Sequence, residues 1–376
     1  DNTVGSPATN KNGVAVGASL NDETSWNANG RVSTKNAKLN KNSLASFSSR
    51  GPTSDGRLKP EICAAGNLIT APDANTNCEV RVDSGTSFSS PILGGASILI
   101  RQYFTDGFYP SGFKNVSNSF IPSGALIKAI LVHSGQALDY ITDGEKSVTT
   151  RWGDNNQGYG RIQLSNALSF NVPATLNGLT MFVRGSVGST SPYYVEFTKT
   201  GEVHVYNFTA RSDATTTIRV TLAYTDYFGT IGSTKALVND LDLTVQNSTK
   251  KWTPLVTNSV DINTGAKYDS RNNLEFIAIH PNPGGHYTVT VKARSISRAQ
   301  PYSLVITGQV GQYTYSDKYN GVDSGLTQKA KIFVLVAAIL AFCFTICVIW
   351  LAFGRAARRN RINQAMEMYR RANPRV

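Results

Sequence analysis

Apolar and polar positions divide the chain into three kinds of stretch. Up to residue 170, short apolar strands alternate with helical runs. Val14, Val16 and Ala18 mark a strand ending at Gly17-Ala18-Ser19, and residues 20–43 are polar loop apart from Trp26. A tight polar turn over residues 85–91 feeds an apolar-rich run, 92–104, which predicts a buried helix. Gly94 and Gly95 cost that helix roughly 1 kcal/mol each, a cost that predicts close packing against a neighbouring element. Ala125, Leu126, Ala129, Ile130 and Val132 predict a second helix, started by Pro122-Ser123 and stopped near Gly135. From residue 171 the period becomes two. The sets Val203/Val205/Tyr206/Phe208, Ile218/Val220/Leu222/Tyr224, Leu241/Leu243/Val245, Leu274/Phe276/Ile279, Tyr287/Val289/Val291 and Leu304/Ile306 predict at least six strands. No helix-length run interrupts them, so residues 171–308 read as an all-β, jelly-roll-like sandwich behind an α/β domain over residues 1–170. Residues 309–331 read as a stalk. Residues 332–353 then run for 22 positions without a charge, about 33 Å as a helix and enough to cross a bilayer.

Composition changes this picture at the C-terminal end. The net charge is +12, but eight of the 37 basic residues and one of the 25 acidic ones lie from Lys331 onward. The excess belongs mainly to the tail, which argues against nucleic acid as a partner. Arg355, Arg358, Arg359 and Arg361 follow the apolar run directly, and Trp350 suits its interface. The pattern reads as a single-pass type I membrane protein with the lipid bilayer as a partner. Residues 354–376 form a basic cytoplasmic tail, and the large domains are extracellular or lumenal. Glycosylation sequons at Asn115, Asn207 and Asn247 agree with that placement. Cys63 and Cys78 are candidates for a disulfide, the alternative being two free thiols; Cys343 and Cys347 lie in the apolar run. No Cys-x-x-Cys pair and four scattered histidines argue against structural zinc.

Candidate chemistry centres on Ser87. At the start of a helix its hydroxyl lies near N–H groups that have no intrahelical acceptor and favour developing negative charge. Such a serine is ordinarily an N-cap. The motif GTSFSSP, residues 85–91, resembles the catalytic-serine motif of the subtilisin-like serine proteases: Gly-Thr-Ser, a hydrophobic residue, Ala or Ser, any residue, Pro. Residues 5–19 resemble that family's segment after the oxyanion-hole asparagine. Residues 46–51 and Lys59-Pro60-Glu61-Ile62 resemble two further family stretches, although Ala64-Ala65-Gly66 stands where many members have Ala-Pro-Gly. Gly158-Tyr159-Gly160-Arg161 resembles the stretch that closes the catalytic domain. The resemblance implies a nucleophile at Ser87 that forms an acyl-enzyme with a polypeptide substrate. Gly85 and Thr86 would support the turn and the oxyanion, and the chemistry requires no cofactor. His133 reads as a satisfied histidine in an apolar helix end, because the family places its base upstream of the serine. Ser89 and Ser90 read as local turn residues.

The resemblance also implies what must come from elsewhere. The family order is Asp, His, oxyanion Asn, Ser, and the first three would lie upstream of Gly5; no His-Gly-Thr segment occurs. The chain begins abruptly at Asp1 with no signal peptide. It reads as the C-terminal part of a subtilisin-like, parallel-sheet peptidase domain, inactive alone, within a membrane-anchored serine endopeptidase. A surface adhesion or binding module that reuses the scaffold is the alternative. The second domain resembles the C-terminal sandwich of some subtilases, P-domain-like in layout, on Tyr224-Thr225-Asp226, residues 237–242 and 271–275, and Pro283-Gly284-Gly285. There Asp226, Asp240, Asp242 and Glu275 are candidate ligands for a structural calcium ion, which favours oxygen ligands. Solvated turn acids are the plainer reading.

Overall fold

Among the described residues, seven short strands and two α-helices carry the first 170 positions. In the computed structural model, residues 2–22, 40–74, 77–143, 146–170, 178–256, 259–260, 267–319 and 363–368 are described. The strands are β1 (Val16–Ser19), β2 (Ser43–Leu44), β3 (Ile62–Ala65), β4 (Ile69–Pro72), β5 (Val80–Asp83), β6 (Tyr140–Asp143) and β7 (Lys146–Thr149). The helices are α1 (Thr86–Thr105) and α2 (Gly124–His133). Strands β3-β1-β2-β6-β7 form one sheet in that order. It is mixed rather than parallel as expected. β1 pairs parallel with β3 and β2 with β6, but β1/β2 and β6/β7 are antiparallel, which for β6 and β7 follows from the short connection between them. Ser123 caps α2 by accepting the Leu126 N–H at 3.0 Å, so the predicted start holds.

The expected close packing at Gly94 and Gly95 does not occur among the described residues. A Cβ at either would meet nothing within 4 Å. They lie on an exposed stripe of α1 with Ile92, Ile98 and Leu99, while Leu93, Ala96, Ile100, Tyr103 and Phe104 face the core. The helix is apolar on two faces and covered on one.

The remaining strands are β8 (Thr180–Arg184), β9 (Glu196–Phe197), β10 (Val203–Ala210), β11 (Ile218–Ala223), β12 (Asp240–Gln246), β13 (Lys251–Trp252), β14 (Ser259–Val260), β15 (Lys267–Tyr268), β16 (Leu274–Ile279), β17 (His286–Ser295), β18 (Gln300–Pro301), β19 (Ser303–Gly308) and β20 (Val310–Tyr319). Two antiparallel sheets, β13-β12-β17-β10-β20 and β16-β11-β19-β8, enclose a core that includes Tyr206, Leu243, Val289, Val220, Ile277 and Ile306. Strand β10 alternates half-buried and buried, whereas every residue of β19 is buried. The difference arises because α2 packs on the outer face of the four-stranded sheet. Met181, Val183, Ala223, Phe276 and Val305 share a second core with Ile100, Phe104, Leu126, Ala129 and Ile130. The boundary expected at residue 170 therefore lies within one shared core, and Asp1–Asn320 forms one compact unit. The expected stalk is also shorter, because residues 310–319 form β20, paired antiparallel with β10. Of the second unit, Gly321–Val376, only an exposed helix over residues 363–368 is described. The apolar run 332–353 and the arginines after it lie outside the described residues. Among the described residues no helix is long and apolar enough to cross a membrane.

Candidate active site

Ser87 stands exposed in the first turn of α1, and among the described residues its hydroxyl has no hydrogen-bond partner. The N-cap is Gly85, with no side-chain cap, so Ser87 is not spent on capping. The turn is tied to the sheet by its backbone. The Gly85 N–H donates to Gly66 O at 2.7 Å, Gly66 N–H donates to Ser19 O at 3.0 Å, and Leu68 N–H donates to Ser84 Oγ at 2.9 Å. Ala65 in place of proline thus leaves the turn after β3 intact. Pro91 has no N–H to give the carbonyl four residues back, which frees the Ser87 carbonyl from the helix ladder. At φ 163° and ψ 157° Gly85 is extended, and an added Cβ would meet only ordinary contacts. What Gly85 offers is room, not a conformation barred to other residues.

Ser87, Thr86 and Ser90 line a groove of about 390 Å³ whose other wall is Pro7, Ala8, Asn10 and Gly13 to Val16. That wall is held from behind by a buried ionic cluster. The Lys59 ammonium donates to Glu61 at 2.5 Å and to Asn10 O at 2.7 Å, and Glu61 accepts the Ala15 N–H at 2.7 Å. Lys128 of α2 reaches Glu61 at 3.3 Å and the carbonyls of Lys11 and Gly13 at 3.1 Å each. Burial lowers the Lys59 pKa, and the Glu61 carboxylate opposes that shift. The charged residues of the Lys-Pro-Glu-Ile stretch therefore shape the groove. Lys11, Asn12 and Lys128 were not singled out from the sequence. The one signal was a lysine inside an otherwise apolar helix.

No histidine lines this groove. His133 is fully buried, with Nδ1 against Thr221 Oγ1 at 2.8 Å and Nε2 against Thr307 Oγ1 at 2.7 Å. Burial, then the nearby Arg219, hold its pKa well below the ordinary value, so it is a neutral bridge to β11 and β19. Asp83-Ser84-Gly85 has the Asp-Ser-Gly form of an acid motif, but Asp83 ends β5 and pairs with Arg81 at 2.8 Å on the surface. Ser89 is buried beneath the turn and Ser90 is at the groove. A second cavity of about 310 Å³, lined by Asn166, Ser169, Thr215, Thr216, Arg219 and Thr307 among others, contains neither Ser87 nor a histidine.

The four calcium candidates do not form one cage. Among the described residues no three acids, histidines or cysteines are placed to share an ion. Asp226 is occupied by the Lys11 ammonium at 2.6 Å and by the N–H groups of Val238 and Asn239. Asp242 pairs with Arg294 at 2.6 Å, Asp240 lies 3.8 Å from Lys235, and Glu275 accepts the Leu243 N–H at 2.5 Å. The disulfide expectation is likewise corrected: Cys63 is a buried free thiol in β3 and Cys78 an exposed one. Of the sequon residues, Asn115 is exposed at a turn, Asn247 begins the β12–β13 turn, and Asn207 lies in mid-β10 accepting from Thr288 Oγ1 at 2.8 Å.

An exposed serine in the first turn of α1, set against the Pro7 to Val16 segment, is the arrangement that the GTSFSSP resemblance implies. Residues 1–160 match the Subtilase family, and this part of the chain belongs to it. The relatives extend past that segment. The chain is 29% identical over 334 residues to the serine protease/ABC transporter B family protein tagB of Dictyostelium discoideum, covering 77% of this chain and 17% of that protein. It is 32% identical over 288 residues to tagA of the same organism, 69% of this chain and 15% of that protein. Serine protease AprX of Bacillus subtilis is 34% identical over 116 residues, 28% of this chain and 24% of AprX. The chain thus spans under a fifth of the length of the Dictyostelium relatives.

Proposed function

We propose that this chain carries the nucleophile of a membrane-tethered serine endopeptidase and that Ser87 forms the acyl-enzyme. The observation that carries the reading is an exposed Ser87 hydroxyl in the first turn of α1, unpartnered among the described residues, at a groove of about 390 Å³. The Ser87 N–H belongs to a helix start, where donors await a negative oxygen. In the order of the family, the acid, the base and the oxyanion amide precede the serine. The uncovered stripe of α1, with Ile92, Ile98 and Leu99, is the surface on which that preceding part would pack. The names of the Dictyostelium relatives join a protease to a transporter, which supports a membrane setting for the run over residues 332–353. The same setting has the large unit extracellular or lumenal, the basic tail cytoplasmic, and a polypeptide as substrate.

The test is labelling with a fluorophosphonate, which reacts with activated serines. The intact polypeptide is expected to label at Ser87, Ser87→Ala to lose the label, and Ser90→Ala to keep it. The 376-residue chain alone is expected to stay unlabelled. An intact polypeptide that folds but does not label would favour the binding module over the peptidase.

A further inference from the structure

The two walls of the groove differ in whether the sandwich holds them. Ser87 and Thr86 are fixed through Gly85, Ser84 and Gly66 to the catalytic sheet, and none of those bonds involves the sandwich. The facing segment is held on its inner side by the cluster already described, with Lys59 on Asn10 O, Lys128 on the Lys11 and Gly13 carbonyls and Glu61 on the Ala15 N–H, and by Arg57 on Thr9 O at 2.9 Å. Asn10 N–H donates to Pro7 O, and the N–H groups of Asn12 and Gly13 donate to Asn10 Oδ1. Its outer side is gripped by the sandwich. The Lys11 ammonium spends three donors there, on Asp226 Oδ2 at 2.6 Å, Tyr227 O at 2.5 Å and Ala236 O at 2.6 Å. Asn12 pairs reciprocally with the Asp226 backbone, Nδ2 to O at 2.8 Å and N–H to Oδ1 at 3.0 Å, and also accepts from Asn273 at 2.9 Å. The acceptor cage is itself rigid, because the Asp226 side chain is fully buried and holds the Val238 and Asn239 N–H groups.

We infer that the sandwich, acting opposite the Lys59–Glu61–Lys128 cluster, sets the position of the groove wall around Asn10 to Gly13, and that Lys11 is the positioning residue through which the sandwich does so. Lys11 touches no substrate; it holds the backbone that would. The inference rests on the peptidase reading of Ser87 for its kinetic consequence, but not for its structural one. A wall braced from the sandwich as well as from behind governs how well a peptide seats, whereas the serine turn, which the sandwich does not touch, governs what happens after seating. Loosening the wall should therefore raise KM and leave kcat near its original value.

The experiment uses Lys11→Met in the intact polypeptide, well below its melting temperature. Amide hydrogen exchange over residues 8–14 is expected to quicken about tenfold while β12 and β17 are unchanged. KM for peptide substrates is expected to rise about tenfold with kcat within about twofold. Unchanged exchange over residues 8–14 would overturn the inference. So would a variant with a lower melting temperature but wild-type KM. Should Lys11→Met fail to fold, Asn12→Ala removes the reciprocal pair without stranding a charge and is expected to shift both readouts the same way. If the wild-type polypeptide neither labels nor hydrolyses, the peptidase reading fails and the exchange measurement alone decides whether the sandwich holds the wall.

Discussion

Gly66 shows how one position can decide whether the serine turn closes. A Cβ there would lie 2.2 Å from Ser89 Oγ, 2.8 Å from the Ala18 Cβ and 2.9 Å from Gly85 O. Two of these neighbours are fixed parts of the sheet and the turn, so little can give way. Gly66→Ala is expected to cost about 1–3 kcal/mol and to weaken labelling at Ser87. A urea denaturation series and the same fluorophosphonate assay check both. The residue was visible in Ala-Ala-Gly as a family feature, but its reason is spatial: three separate segments meet at one missing side chain. Lys11 was not visible at all. Between two asparagines it looks like any solvated lysine, and its acceptor lies 215 residues further on. Asp226, a candidate calcium ligand in the sequence, is ion-paired with this ammonium at 2.6 Å.

Among the elements, those with one wet face were the easiest to read. Strand β10 alternates as its sequence does, and β17 follows nearly the same rule. Strand β19 is apolar at only some of its positions yet buried throughout, because a helix covers the face that period-two reasoning assigns to solvent. Strand β20 was missed for a related reason. Its Tyr, Gly, Ser and Lys content resembles a linker, and only its backbone pairing with β10 identifies it as an edge strand. The two endpoints can be told apart by truncation. A polypeptide ended after Gly308 is expected to expose the β10 edge and to aggregate, whereas one ended after Asn320 stays soluble if Ser87 is otherwise supported. Light scattering of the two purified products gives the answer.

For the molecule as a whole, the acids left inside the sandwich set a pH dependence. Burial, then Asp242, push Asp240 up to about 7; burial, then Asp242 and Asp269, raise Glu275; and burial raises Asp242 despite Arg294. Among the described residues, Asp240 Oδ1, Asp242 Oδ1 and Glu275 Oε1 are buried without a hydrogen-bond partner. A carboxyl whose folded pKa is raised contributes stability that is complete below its unfolded pKa of 3.8 and lost as pH climbs to about 7. Asp55 acts the other way. Against burial, which would raise it, hydrogen bonds from Arg57 and Thr53 hold it down to about 2, and its contribution is lost as pH falls from 3.8 toward that value. Urea midpoints are therefore expected to fall between pH 4 and 7, by up to about 1.4 kcal/mol per unit for one proton, and Asp240→Asn to flatten the slope. Saturating calcium is expected to leave the curve in place.

The sheet covered on both sides has a practical consequence for anyone grafting this sandwich onto another protein. Met181, Val183, Phe276 and Val305 look outward to α1 and α2 while Phe182, Ile277 and Ile306 look inward. A chimera spliced at residue 170 would join half of that wall from each parent, with mismatched surfaces on either side. The segment that can travel intact is Asp1–Asn320, helices included.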